Sequence, residues 1–234
     1  MQPADRRTEW FVPSFGPARF RVAVGLLFLP YTAMVLSYTV IGSMLAPEIH
    51  WDRVVAIVLV YFLALGIGAH ALDALGSRGV KPWGQVFSPR QLWTLAAVSV
   101  VAAYAIGIWY MVLYAPLLWP IALLEGFFLL AYNLEWFGGR FHHDAWFAFS
   151  WGALPVLAGY VLQTNTVSAA ALIVGAAAAL LSLVEIKASR PYKALKQAGA
   201  GDALQVASLE SILKYLSGGV VLLGAGMLAW RLCG

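Results

Sequence analysis

The hydrophobic positions of this chain neither alternate nor keep to one narrow helical stripe. They come in long blocks, and a block of about 20 apolar residues is what an α-helix needs to cross the hydrocarbon core of a bilayer. The blocks predict helices near 22–45, 54–75, 91–113, 116–135, 145–162, 167–188 and 205–231. Turn-forming letters close each one: "APE" at 46–48, "GVKPWG" at 79–84, "YAP" at 114–116, "FGGRFHHD" at 137–144, "QTNT" at 163–166 and "QAGAGD" at 197–202. So few residues join the third block to the fourth, and the fifth to the sixth, that each pair is read as an antiparallel hairpin. The pattern predicts an all-α polytopic membrane helix bundle of about seven transmembrane helices. A polar N-terminal segment, 1–21, precedes a single helical domain, 22–232. That segment carries acids and is not followed by the short apolar region and small-residue cleavage site of a signal peptide.

Composition agrees with the pattern. Hydrophobic residues make up 62% of the 234 and charged residues only 11%, against about 25% charged in soluble domains. The basic residues decide orientation. If the N-terminus is cytoplasmic, the inner segments hold Arg6, Arg7, Arg19, Arg21, Arg78, Lys81, Arg90, Arg140, Lys187, Arg190, Lys193 and Lys196. The outer segments hold only Arg53 and Arg231, and Lys214 lies within the last helix toward its inner end. Positive charge collects on the cytoplasmic side of membrane proteins, so the expectation is a cytoplasmic-membrane protein with its N-terminus inside. The net charge of +4 is then a matter of topology, and no nucleic-acid partner is expected. Trp109, Tyr110, Tyr114 and Trp119 fall at outer turns, as an interfacial aromatic belt does. Cys233 is the only cysteine, which excludes an intramolecular disulfide.

One charged phrase is written twice. "DALGSRGVK" (73–81) and "EIKASRPYK" (185–193) align Asp73 with Glu185, Ser77 with Ser189, Arg78 with Arg190 and Lys81 with Lys193. Both end inward-running helices, four helices apart, as a parallel internal duplication would place them. The rival explanation is that inner helix ends attract basic residues anyway. On a helix, residues i and i+4 share a face, so Asp73 pairs with Ser77 and Glu185 with Ser189, and His70 joins the first set. If the two helices face each other, two carboxylates meet at one mouth rimmed by arginine and lysine. Such a set suits a Mg²⁺–diphosphate, since Mg²⁺ takes one or two carboxylates, waters and phosphate oxygens and arginine grips phosphate in a fork. Asp73 and Glu185 are then expected about 6–12 Å apart across a cavity, the span one hydrated Mg²⁺ and a diphosphate would bridge.

These residues carry a resemblance. The chain resembles the UbiA-type prenyltransferase superfamily of intramembrane enzymes, over roughly residues 50–200. The family's N-D-x-x-D-x-x-x-D motif on its second helix corresponds to "AHALDALGSRGVKPWGQVFSPRQLW" (69–93). The tyrosine and basic residue after its fourth helix, with the Gly-and-Pro fifth helix, correspond to "YNLEWFGGRFHHDAWFAFSWGALPVLAGY" (132–160). Its second acidic motif corresponds to "EIKASR" (185–190). The sequence departs from that pattern. Ala69 and His70 stand where Asn and Asp are usual, Ser77 and Ser189 replace acids, and seven helices stand where nine are usual. The resemblance implies Mg-dependent transfer of a polyprenyl group from its diphosphate to an acceptor. Asp73 and Glu185 would hold Mg²⁺. His70, Ser77, Arg78, Lys81, Ser189, Arg190 and Lys193 would bind the diphosphate, and Tyr132 and Arg140 would orient the head group or acceptor. The basic set and the one acid kept at each motif favour this transfer; the lost acids and helices favour the alternative, a non-catalytic UbiA-fold protein that binds an isoprenoid, quinone or lipid, or a subunit of a membrane complex.

Other residues remain. Glu125 lies mid-helix in "PIALLEGFFLLAY"; an ionisable group at that depth is a functional candidate, or a protonated acid bonded to a neighbouring helix, and it is expected to face the interior. "RFHHD" (140–144) lacks the H-x-x-x-H spacing of a helical zinc site and reads as an interfacial loop. Pro30 and Pro155 are expected to kink their helices. "GIGAHA" and "GGVVLLGAG" are small-residue faces suited to close packing. Walker, Rossmann and G-x-S-x-G patterns are absent.

Overall fold

Hydrocarbon offers the backbone no water, so an apolar run embedded in it satisfies its N–H and C=O groups within its own helix. The computed structural model describes residues 9–76, 86–198 and 202–233, and among these every regular element is helical. In chain order they are α1 (Ala18–Leu26), α2 (Leu29–Met44) and α3 (Trp51–Tyr61). α3 runs through a π-helical stretch, Phe62–Ala69, into α4 (His70–Gly76). α5 (Pro89–Leu113), α6 (Leu118–Asn133) and the short turn α7 (Trp136–Gly139) follow. α8 (Asp144–Ala148) passes through a second π stretch, Phe149–Ala153, into α9 (Leu154–Thr164). α10 (Ala169–Ala198) and α11 (Ala203–Cys233) complete the chain.

Among the described residues six helices are long and apolar enough to cross a membrane: Ala18–Met44, Trp51–Leu75, Pro89–Leu113, Asp144–Thr164, Ala169–Lys196 and Ala203–Cys233. The protein is an integral membrane helix bundle. The predicted fourth span, α6, is the exception. It has 16 residues, about 24 Å at 1.5 Å per residue, short of the roughly 30 Å core. The Asp144–Thr164 span is the most buried and forms the centre; α5 and α11 are the least buried. Their outward residues, such as Val98, Val101, Val112 and Leu222, are exposed, as lipid-facing side chains are.

Two predicted segments differ from the structure. The first is broken at Leu27–Phe28, where Phe28 takes a left-handed conformation (φ 42°, ψ 55°). Pro30 sits in the first turn of α2, where a missing N–H costs nothing. The sixth was expected to stop at 188, but α10 continues to Ala198 with Pro191 inside it. Arg190, Lys193 and Lys196 are therefore helical residues and not turn residues.

α2 packs directly on α9. A Cβ on Gly42 would lie 2.0 Å from the Val156 carbonyl oxygen, and one on Gly159 would lie 2.2 Å from that of Thr39, so only glycine lets these backbones touch. In "GGVVLLGAG" only part of the expected face is used: Gly224 meets Ser37, whereas Gly218, Gly219 and Gly226 face open space.

Alternating helix direction gives the bundle two ends. At one, Arg53 Nη1 donates to the carbonyls of Leu162 (3.3 Å) and Gln163 (3.0 Å). Arg231 donates to those of Met44 (3.1 Å) and Ala46. Both cations thus sit at helix C-termini, where the last carbonyls lack partners and the dipole favours positive charge. Asp73 and the second phrase, 185–193, lie at the other end.

Candidate functional site

The second arm owes its geometry to the continuation of α10. Residues four apart stack on one helix face, so Glu185, Ser189 and Lys193 form a stripe facing the bundle. Glu185 is 4% exposed. Lys193 supplies the positive charge it faces, and Tyr38 and Ser182 flank it. Ser189 Oγ lies 3.0 Å from Tyr31 Oη. Lys193 Nζ stands 5.2 Å over the Phe28 ring and 5.6 Å over Tyr31, within cation–π range. Lys187 and Arg190 point to another face and converge on Asp144, with Nζ–Oδ2 3.3 Å and Nη1–Oδ1 2.9 Å.

The first arm approaches the same aromatic floor. His70 is buried; its Nδ1 lies 3.1 Å from the Gly66 carbonyl. Its ring packs against Phe28 at 4.9 Å and Trp151 at 5.3 Å. Phe28 in turn packs on Tyr31 at 5.7 Å. One ring therefore touches His70 from the first arm and carries Lys193 from the second. A bulky residue held at positive φ is strained by about 1–3 kcal/mol, and such strain persists where the surroundings over-determine it. Both π-helical stretches also border this floor, one ending next to His70 and one containing Trp151. Such bulges occur often at functional sites.

Tyr132, at the end of α6, joins the two arms. Its hydroxyl faces the Arg190 guanidinium, with Asp73 and Asp144 in its surroundings. Its ring stacks on His142 at 4.4 Å, and His142 Nδ1 lies 2.9 Å from the Tyr132 carbonyl oxygen. The "RFHHD" loop is thereby clamped to the site as an interfacial loop. The N-terminal segment covers the same end: Tyr192 Oη donates to Glu9 at 2.7 Å, and Lys196 pairs with Glu9 at 3.2 Å.

The structure thus brings His70, Asp73, Tyr132, Glu185, Ser189, Arg190 and Lys193 to one end of the bundle. Arg140 is exposed at the rim. Ser77, Arg78 and Lys81 lie outside the described residues. Sequence reasoning missed Phe28 and Tyr31, which no periodic signal marks, and the role of Asp144, which its position among the loop charges could have flagged.

Among the described residues no group of three or more His, Cys, Asp or Glu side chains is placed to hold a metal ion. Glu185 is surrounded by a lysine and hydroxyls, and Asp73 lies beside a tyrosine. Each arm offers one carboxylate, and Mg²⁺ takes one or two with waters and phosphate oxygens filling the rest.

A third carboxylate stands apart. Glu125 faces the interior, as expected. Its Oε1 accepts from Tyr61 Oη at 2.8 Å, and its Oε2 is buried without a hydrogen-bond partner. No family model, no curated protein and no solved structure matches this chain.

Proposed function

We propose that the protein binds the anionic head of an isoprenoid lipid, of the polyprenyl diphosphate class, at this end of the bundle, with the apolar tail among the helices. The observation that supports it most is the convergence of both arms on Phe28: His70 packs against its ring and Lys193 stands over it, while Arg190 meets Tyr132 at the same end of the bundle. Lysine and arginine attract phosphate, and arginine adds a directional fork. The rings form an apolar floor on which the first isoprene units would rest. The excess of basic residues supports a cytoplasmic position for this end, and with it a cytoplasmic N-terminus.

A second reading is prenyl transfer of the UbiA type, favoured by the carboxylate that each arm keeps at Asp73 and Glu185. Purified protein in nanodiscs separates the two. Binding of a polyprenyl diphosphate and of the corresponding alcohol is compared with and without Mg²⁺, alongside transfer to aromatic acceptors. The binding reading expects the diphosphate to bind at least about tenfold more tightly than the alcohol, as a charge-assisted hydrogen bond contributes about 1.5–3 kcal/mol, and to do so without Mg²⁺. The transfer reading expects Mg-dependent product that Asp73→Asn and Glu185→Gln abolish. Equal binding of diphosphate and alcohol, with no effect of Mg²⁺, contradicts both.

A further inference from the structure

Between α3, α5 and α6 lies a pocket of about 70 Å³ that belongs to no part of the site just described. Small residues on several helices open it, among them Ala56, Ala64, Ala103, Gly107 and Ala122. α5 and α6 make little contact with each other. Tyr104 reaches across, its hydroxyl donating to the Ala122 carbonyl at 2.9 Å. A Cβ on Gly126 would collide with that hydroxyl, so this crossing depends on glycine at 126. Into this apolar space comes one carboxyl group, Glu125.

The polar inventory is short. The Tyr61 hydroxyl donates to Glu125 Oε1, the Tyr104 hydroxyl is used by Ala122, and the Tyr110 hydroxyl is engaged by Asp52. The pocket lining holds no lysine, arginine or histidine. A carboxyl in such surroundings is carried as the neutral acid, because an unpaired charge in a low-dielectric interior is far costlier than a proton. As the neutral acid, with Oε1 occupied by Tyr61, its O–H is the unsatisfied group. Water answers this poorly. The volume is several times the 10–15 Å³ or so that one water needs, and each water wants two to four polar partners, which the pocket does not offer.

We propose that this pocket binds a neutral apolar molecule carrying one acceptor oxygen, a ketone, quinone or similar carbonyl compound, to which the Glu125 carboxyl donates. Tyr61 fixes the carboxyl from behind. The small residues set the width of the ring or chain that enters.

The test uses the full-length protein in nanodiscs and a photoactivatable long-chain ketone, with labelled residues mapped by mass spectrometry. Competitors are the matched ketone, alkane and primary amine. In the wild type, label falls on α3, α5 and α6 around Glu125, and the ketone competes at about tenfold lower concentration than the alkane, the worth of roughly one hydrogen bond. Glu125→Gln keeps a donor and retains this preference; Glu125→Leu loses it. Gly107→Leu blocks labelling. A Cβ at 107 meets only Met111 Cε, at 3.8 Å, so a side chain can begin there without pushing on backbone, at a position that lines the pocket. Equal competition by ketone and alkane in the wild type overturns the proposal, as does labelling that persists in Gly107→Leu. An amine that outcompetes the ketone, with Glu125→Gln abolishing its binding, overturns it in favour of a carboxylate–ammonium pair. Should Gly107→Leu fail to fold, the Gln-against-Leu contrast at 125 still decides.

Discussion

Glu185 and Glu125 both turn a carboxyl into the bundle, and their surroundings differ. Glu185 belongs to the charged end. It shares a helix face with Ser189 and Lys193, has Lys193 as its counter-charge and has the hydroxyls of Tyr38 and Ser182 nearby. Glu125 belongs to the apolar pocket. One phenol reaches it, no cation does, and one of its oxygens is left over. A glutamate given a cation has its charge balanced within the fold. A glutamate given only a neutral donor has one hydrogen bond and no counter-charge. The same side chain, in the same helical bundle, therefore stands in two chemical settings according to what neighbouring helices place beside it.

The comparison can be broken by removing each glutamate's support in turn, with stability read from unfolding in mild detergent. The largest effect is expected at Lys193→Met, which leaves Glu185 without its counter-charge and costs about 3 kcal/mol. The double change Glu185→Leu/Lys193→Met recovers most of that stability but not the binding of an anionic head group. Next comes Phe28, the ring under Lys193. Phe28→Ala costs about 3 kcal/mol through lost packing. Phe28→Gly costs about 1 kcal/mol less than Phe28→Ala, because glycine accepts the left-handed backbone at 28; the opposite order would mean that φ at 28 is not what the structure shows. Tyr61→Phe removes the one donor to Glu125 and costs about 2 kcal/mol. Tyr61→Phe/Glu125→Leu, which makes both partners apolar, is close to neutral, and neither change alters diphosphate binding at the other site. The smallest effect belongs to Lys187→Ala. Its pair with Asp144 is exposed, so the loss is below about 1 kcal/mol.

Much of the fold was legible because lipid imposes a simple rule. Long apolar blocks became helices, and the turn letters at 46–48 and 114–116 fell between them. Where the structure departs, a local signal was overruled by packing. Pro191 and the charged run after Glu185 read as a helix end, yet α10 continues because Tyr192 and Lys196, on its next turn, are held by Glu9. Pro30 read as a kink, but the strained residue is Phe28, pinned by His70, Tyr31 and Lys193. At the candidate site the titratable letters were visible and their partners were not. The stacking of His142 on Tyr132 and the pairing of Arg190 with Asp144 join residues that no periodicity links. Glu125 stood out as an acid in an apolar run, while its pocket depends on Tyr61, Tyr104 and Gly107 from other helices.

The most direct measurement of the central claim is the affinity of the protein in nanodiscs for a polyprenyl diphosphate relative to its alcohol, before and after Arg190→Ala/Lys193→Met. In the wild type the ratio should be about tenfold or more. In the double variant it should fall close to one, with alcohol binding unchanged, because the tail's apolar contribution of about 0.8 kcal/mol per buried CH₂ is untouched. A ratio that survives the double change, or that is close to one from the start, would contradict the assignment of this end of the bundle as an anionic lipid-head site.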